Sequence, residues 1–102
     1  MAPRQRIGEL LIYRPGSAAP ENLGNGVWSW AELRRLLGAA SMLSYVRRVE
    51  GKWVDFLVDE QAAYRDPVNE AASREWWLAN DRQPPRLFGT VAVVRLRGKR
   101  LP

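Results

Sequence analysis

Residues 58–72, VDEQAAYRDPVNEAA, decide how this chain is built. A strand ends here on acids, the chain turns, and Asp66-Pro67 opens a helix that carries Asn69 and Glu70 early. Pro67 suits a first helical position, where a missing N–H costs nothing and φ is already helical. Either Asp66 or Asn69 can serve as the cap. Glu70 lies near the positive end of the helix dipole, a favourable place for an acid. Ala72, Trp76 and Ala79 recur on one face, with Val68 leading and Trp77 alongside. Asn80 and Asp81 end the helix, and Pro84-Pro85 forbid its continuation.

Working outward, residues 87–96 form a last strand whose Val91, Val93 and Val94 suit a central place in a sheet. Upstream, residues 42–49 and 52–59 read as a hairpin around Glu50-Gly51. Leu43, Tyr45, Arg47 and Val49 share one face of its first strand. Val54, Phe56 and Val58 share one face of its second, opposite Trp53, Asp55, Leu57 and Asp59. One apolar and one mixed face predict an antiparallel sheet covered on one side. A first helix starts at Ser29, with Glu32 placed for a capping box, Trp28 and Leu33 for a hydrophobic staple, and Gly38 as its stop. IGELLIY, residues 7–13, is the first strand, ended by Pro15-Gly16, and the small polar residues to Gly26 read as a mobile loop.

The order is β-α-β-β-α-β. It predicts an α+β, ferredoxin-like split βαβ fold: a four-stranded antiparallel sheet covered on one face by two helices. Strands one and three are then central and parallel, with strand four beside strand one. The 102 residues make a single domain, with short basic ends at 1–6 and 97–102.

Composition narrows the chemistry. The chain has no Cys and no His. It therefore has no disulfide, no thiolate and no imidazole for zinc ligation, acid/base work or a nucleophilic triad. We expect no catalytic residues, no metal site and no cofactor. The apolar runs are too short to span a membrane and the N-terminus has no leader-like apolar region, which predicts a cytoplasmic protein without a membrane partner.

The net charge of +5 is unevenly placed. Residues 1–9 carry +1, residues 10–85 carry −1, and residues 86–102 carry +5. In the expected fold the start of strand one, the end of strand four and the hairpin tip share one end of the sheet. Arg4, Arg6, Arg97, Lys99 and Arg100 then gather near Lys52, with Arg47 and Arg48 close by. This basic pole is the candidate contact for nucleic acid or an acidic partner, with Trp53 or Tyr45 offering a stacking face.

The ordered motifs resemble domain of unknown function 3846, a family of small phage and plasmid proteins. They are IYRPG, WAELRRLLG, YVRRVE, the triplet Val58-Asp59-Glu60, the Pro67–Asn69–Ala72 spacing and the Gly89-to-Val94 run. The resemblance implies a phage or mobile-element product in a bacterial cytoplasm and brings no catalytic residues with it.

Two further groups stand out. Asp59, Glu60, Asp66 and Glu70 could bind Mg²⁺, but helix caps and dipole placement explain the same residues. Five Trp are many for so small a core. Trp76 and Trp77 are adjacent on a helix and point about 100° apart, so one faces outward. Trp53, Trp76 and Trp77 are the candidate protein-interface aromatics, including for a homodimer. We expect a non-enzymatic accessory protein that modulates a host protein or complex, with a nucleic-acid-binding module as the alternative.

Overall fold

In the computed structural model, which describes residues 5–79 and 84–97, Leu10, Leu11, Ile12 and Tyr13 are all buried. A strand apolar at successive positions has to be covered on both faces. This strand, β1 (Gln5–Tyr13), sits inside a five-stranded sheet with β2 (Glu21–Ser29), β3 (Met42–Val49), β4 (Lys52–Asp59) and β5 (Val91–Leu96). The order is β2-β1-β5-β4-β3, and each neighbouring pair is antiparallel. Helix α1 (Trp30–Leu37) follows β2, while the single turn α2 (Ala62–Arg65) and helix α3 (Glu70–Leu78) lie between β4 and β5. None of these helices is long and apolar enough to cross a membrane.

The α+β class holds, but the ferredoxin-like details are corrected in three ways. The sheet has five strands, because most of the expected loop before Gly26 is β2. The last strand inserts between β1 and β4, so the expected central parallel pair does not form. The helices lie on opposite faces. Leu33 and Leu37 of α1 pack with Leu10, Ile12, Leu57, Ala92 and Val94. Ala72 and Trp76 of α3 pack with Leu11, Tyr13, Phe56, Val91 and Val93. The period of two along β1 and β5 sends alternate side chains into these two cores.

Local grammar explains the elements. Ser29 Oγ accepts from the Glu32 N–H at 3.1 Å, and Glu32 Oε1 accepts from the Ser29 N–H at 3.0 Å. This is the expected capping box, and Gly38 at φ 65° closes the helix. Glu50 and Gly51, at φ 51° and 80°, make the tight hairpin loop. The cap of α3 is Asn69, and Asp66 instead ends α2. Buried Asn69 accepts from the Ala72 N–H at 3.1 Å and donates to Tyr13 O at 2.9 Å and Gly89 O at 2.7 Å. One amide therefore ties the start of α3 to the end of β1 and the approach to β5.

Candidate interaction surface

Helix α3 is nine residues long and leaves part of its sheet face open. Register shows which part. Val27 on β2 pairs with Ile7 on β1, and the Arg97 N–H donates to Ile7 O at 2.8 Å. Lys52 lies two residues before Val54, the partner of Arg95, and therefore falls in the same row as Arg97. Val49 opposite Lys52 completes a row that crosses the sheet. Ile7 is 46% and Val27 54% exposed, and Lys52 and Arg97 are exposed. The next row inward is Asn25, Glu9, Arg95, Val54 and Arg47.

Between these rows and the last turn of α3 lies a groove of about 440 Å³. Tyr13, Val54 and Val93 line it, with Leu78, Glu75 and Arg95 around them. Arg95 pairs with Glu9 at 3.0 Å. The Asn22 amide, 2.9 Å from Glu9, holds that carboxyl below its usual range; burial opposes this and Arg95 adds to it. Burial pushes the Tyr13 hydroxyl up, and the Glu75 carboxylate pushes it further. The groove is thus of mixed sign, with Glu50 and Glu75 set against Lys52 and Arg95.

The structure narrows the expected basic pole. Arg48, Lys52 and Arg97 do share one end of the sheet, and none has an ion-pair partner among the described residues. Arg6 is corrected: it turns onto the α1 face and pairs with Asp55, a fully buried carboxylate that also accepts from Ser44 Oγ at 2.6 Å. An isolated buried carboxylate is costly, so Asp55 draws the nearest cation inward. Arg47 lies over the Trp76 and Tyr45 rings, 5.3 and 5.8 Å from their centroids. Arg4, Lys99 and Arg100 lie outside the described residues.

The aromatics divide. Trp76 is corrected as an interface residue: it is fully buried, meets Phe56 and Tyr45 edge-on at 5.1 and 5.3 Å, and donates its indole N–H to Pro84 O. Trp77 is half exposed and donates to Pro85 O at 2.7 Å. Trp53 is half-buried with Arg48 above its ring at 5.6 Å. Arginines therefore already occupy the proposed stacking rings, Trp53 and Tyr45.

Three of the four acids, Asp59, Glu60 and Asp66, have side-chain partners in the structure. Asp59 is buried, accepts from the Gln61 N–H at 2.9 Å and pairs with Arg65, which also bridges to Asp66 at 3.3 Å. Glu60 accepts from Ser41 Oγ at 2.6 Å. Among the described residues no group of three or more acids is arranged to hold a metal ion.

Ile7 and Val27 are the surface residues that sequence reasoning missed. Their signal was an apolar residue at matching positions of β1 and β2, legible only once β2 is recognised as a strand. No family model, curated protein or solved structure matches this chain.

Proposed function

We propose that this chain is a non-enzymatic accessory protein of a phage or mobile element that binds and modulates a host protein or complex. Its role is host takeover or anti-defence in the bacterial cytoplasm. One observation supports this reading most directly: the uncovered row Val27, Ile7, Arg97, Lys52, Val49. Two half-exposed aliphatic residues stand beside two cations that lack ion-pair partners among the described residues. Such a row complements a protein surface with an apolar ridge and flanking acids. A phosphate backbone has no use for the aliphatic half, and Glu50 and Glu75 in the adjoining groove repel it.

The second reading, a nucleic-acid-binding module, draws on Arg48, Lys52 and Arg97 at one end of the sheet. A tagged capture from bacterial lysate, with and without nuclease, separates the two. The first reading expects a stoichiometric protein partner that survives nuclease and is lost with Val27→Glu and with Lys52→Glu. Enrichment of nucleic acid, with protein lost on nuclease, moves the function to the second. A protein partner retained by both variants rules out the row as the contact.

A further inference from the structure

We infer that the outer edge of β2 pairs with the same edge of a second copy of this chain, antiparallel about a two-fold axis at Gly26. Strand β2 is one of the two outer strands. Two hydrogen bonds fix which way its backbone points. Ile7 O accepts from the Arg97 N–H at 2.8 Å, so Ile7 faces β5. Gly8 O accepts from the Trp28 indole N–H at 3.0 Å, so Gly8 faces β2. Gly26 lies opposite Gly8 and therefore turns its main chain toward β1. Its neighbours Asn25 and Val27, both exposed, turn their N–H and C=O groups outward.

The composition of this edge selects a second copy as its occupant. Outer strands commonly carry charge or Pro, which guards them against pairing with themselves. The other outer strand, β3, carries Arg47 and exposed Arg48. From Asn22 to Ser29, β2 carries neither charge nor Pro. Its one acid, Glu21, stands at the far end and pairs with Arg14 at 2.7 Å. A two-fold contact sets each residue against copies of its own neighbours, so a charged edge repels itself and a neutral one does not. Exposed aliphatic residues also gather here on both faces. Ile7 and Val27 lie on the α3 face, and Leu23 and Leu36 on the α1 face.

With Gly26 on the axis, the outward groups of Asn25 bond those of Val27 in the second copy, and the reverse. The two Val27 side chains then meet diagonally on the α3 face. On the α1 face, Trp28 comes opposite the second copy's Gly24, where a Cβ would meet nothing within 4 Å, so the space for the ring is open. Beside it, a cleft of about 220 Å³ is lined by Leu23 and Leu36 with Glu32 and Arg35. Each copy thus brings one acid and one base to the junction. Leu23 is the extra residue between the partners of Leu10 and Leu11, and this bulge ends the regular pairing. The join is therefore short, and a micromolar dimer is expected. Its axis is perpendicular to the sheet, so both α3 faces lie on one side and the row from Val27 to Val49 stays open. Both β2 edges are used, so assembly closes at two copies.

The test is sedimentation of the full chain from about 1 µM to 1 mM, with concentration-dependent amide shifts of the isotope-labelled protein. The mass is expected to double with rising concentration, and the Asn25 and Val27 amides to shift and gain protection from exchange. Asn25→Pro removes an outward N–H without breaking a ladder bond. Asn25→Lys sets two cations diagonally across the axis. Each is expected to weaken the dimer by about tenfold or more. Asn25→Lys, at an exposed position, carries the test if Asn25→Pro does not fold. A monomer at about 1 mM, a dimer that neither variant weakens, or shifts confined to β3 or α3 would overturn the inference. So would a monomer whose Asn25 and Val27 amides become protected only when a captured host protein is added, which gives the edge to a foreign strand. Lys52→Glu separates this inference from partner binding. It should leave the dimer intact while losing the host partner. A partner lost with Lys52→Glu from a chain that never dimerises overturns self-pairing and leaves partner binding standing.

Discussion

Replacing Asn69 by Ala removes the amide that joins the α3 layer to the sheet. The side chain is fully buried and makes three bonds, one to the Ala72 N–H and two to the carbonyls of Tyr13 and Gly89. Losing the cap costs about 1 kcal/mol. Each carbonyl left buried without its donor adds about 1–2 kcal/mol. The expected loss is about 3–5 kcal/mol, a large share of the roughly 5–15 kcal/mol that holds a domain together. At about 4–8 °C per kcal/mol for a domain near this size, the melting temperature falls by on the order of 20 °C. Ser29→Ala is the control, because it removes an exposed cap at a cost of about 1 kcal/mol. Urea unfolding followed by tryptophan fluorescence measures both. If Asn69→Ala costs no more than Ser29→Ala, the reasoning about the buried amide is wrong.

Asn69→Asp sharpens the test. It keeps the acceptor for Ala72 but turns a carboxylate toward two carbonyl oxygens. The folded protein then favours the protonated acid, so the folded pKa of the new group rises above the unfolded value of about 3.9. The folded state binds more protons in that window, so stability falls as pH rises from about 4 through the folded pKa. The deficit against wild type should be smallest near pH 4 and largest at neutral pH. An equal deficit at both would sink the idea.

Gly8→Ala should cost more than about 3 kcal/mol, because a Cβ there would fall 1.9 Å from Arg95 O across the β1–β5 ladder. Gly16→Ala, where a Cβ meets nothing within 4 Å, should cost about 1–2 kcal/mol for its positive φ alone; comparing urea midpoints checks the pair. Trp76→Ala should cost about 3–5 kcal/mol and Trp77→Ala about 1 kcal/mol or less, since only the first fills a core; equal losses would contradict the assignment. The Tyr13 hydroxyl, raised by burial and then by Glu75, contributes stability that is present below about pH 10 and lost as pH climbs through its folded pKa. Glu75→Gln should move its NMR titration part of the way back, leaving the burial component in place.

The elements that proved legible were those with local grammar. The capping box at Ser29, the stop at Gly38 and the Glu50-Gly51 hairpin depend on residues within a few positions of each other. Strand β2 was not legible, because its Gly24 and Gly26 read as loop. In the structure the Trp28 ring covers Gly26, where a Cβ would sit 3.0 Å from it, and β1 supplies the ladder. An aromatic two residues from a glycine, on the same face of a strand, was the available signal. The one-sided sheet was also a misreading. The mixed face of the hairpin outweighed the continuous runs Leu10 to Tyr13 and Val91 to Val94, which are what two-sided burial looks like in sequence. Sheet order was out of reach, since it depends on which long-range pairing buries the most surface.

Arg48, Lys52 and Arg97 share one end of the sheet despite the changed strand order, and the reason bears on function. In the expected and the observed strand orders alike, β1 and β4 run one way and β3 and β5 the other, so the starts of β1 and β4 and the ends of β3 and β5 fall at one end. Which face each cation takes is a separate matter, decided one residue at a time. Arg6 and Ile7 are neighbours, yet Ile7 joins the open row while Arg6 crosses to neutralise Asp55. That leaves Arg48 on one face and Lys52 and Arg97 on the other. Even if all of them met phosphates, the salt slope they supply would be only about −3 in log affinity against log salt. A distinctly steeper slope would require further cations, such as Arg4, Lys99 and Arg100, to share the contact, and would favour nucleic acid. A shallow slope combined with loss of binding in Val27→Glu is what a protein partner held by mixed apolar and basic contacts should show.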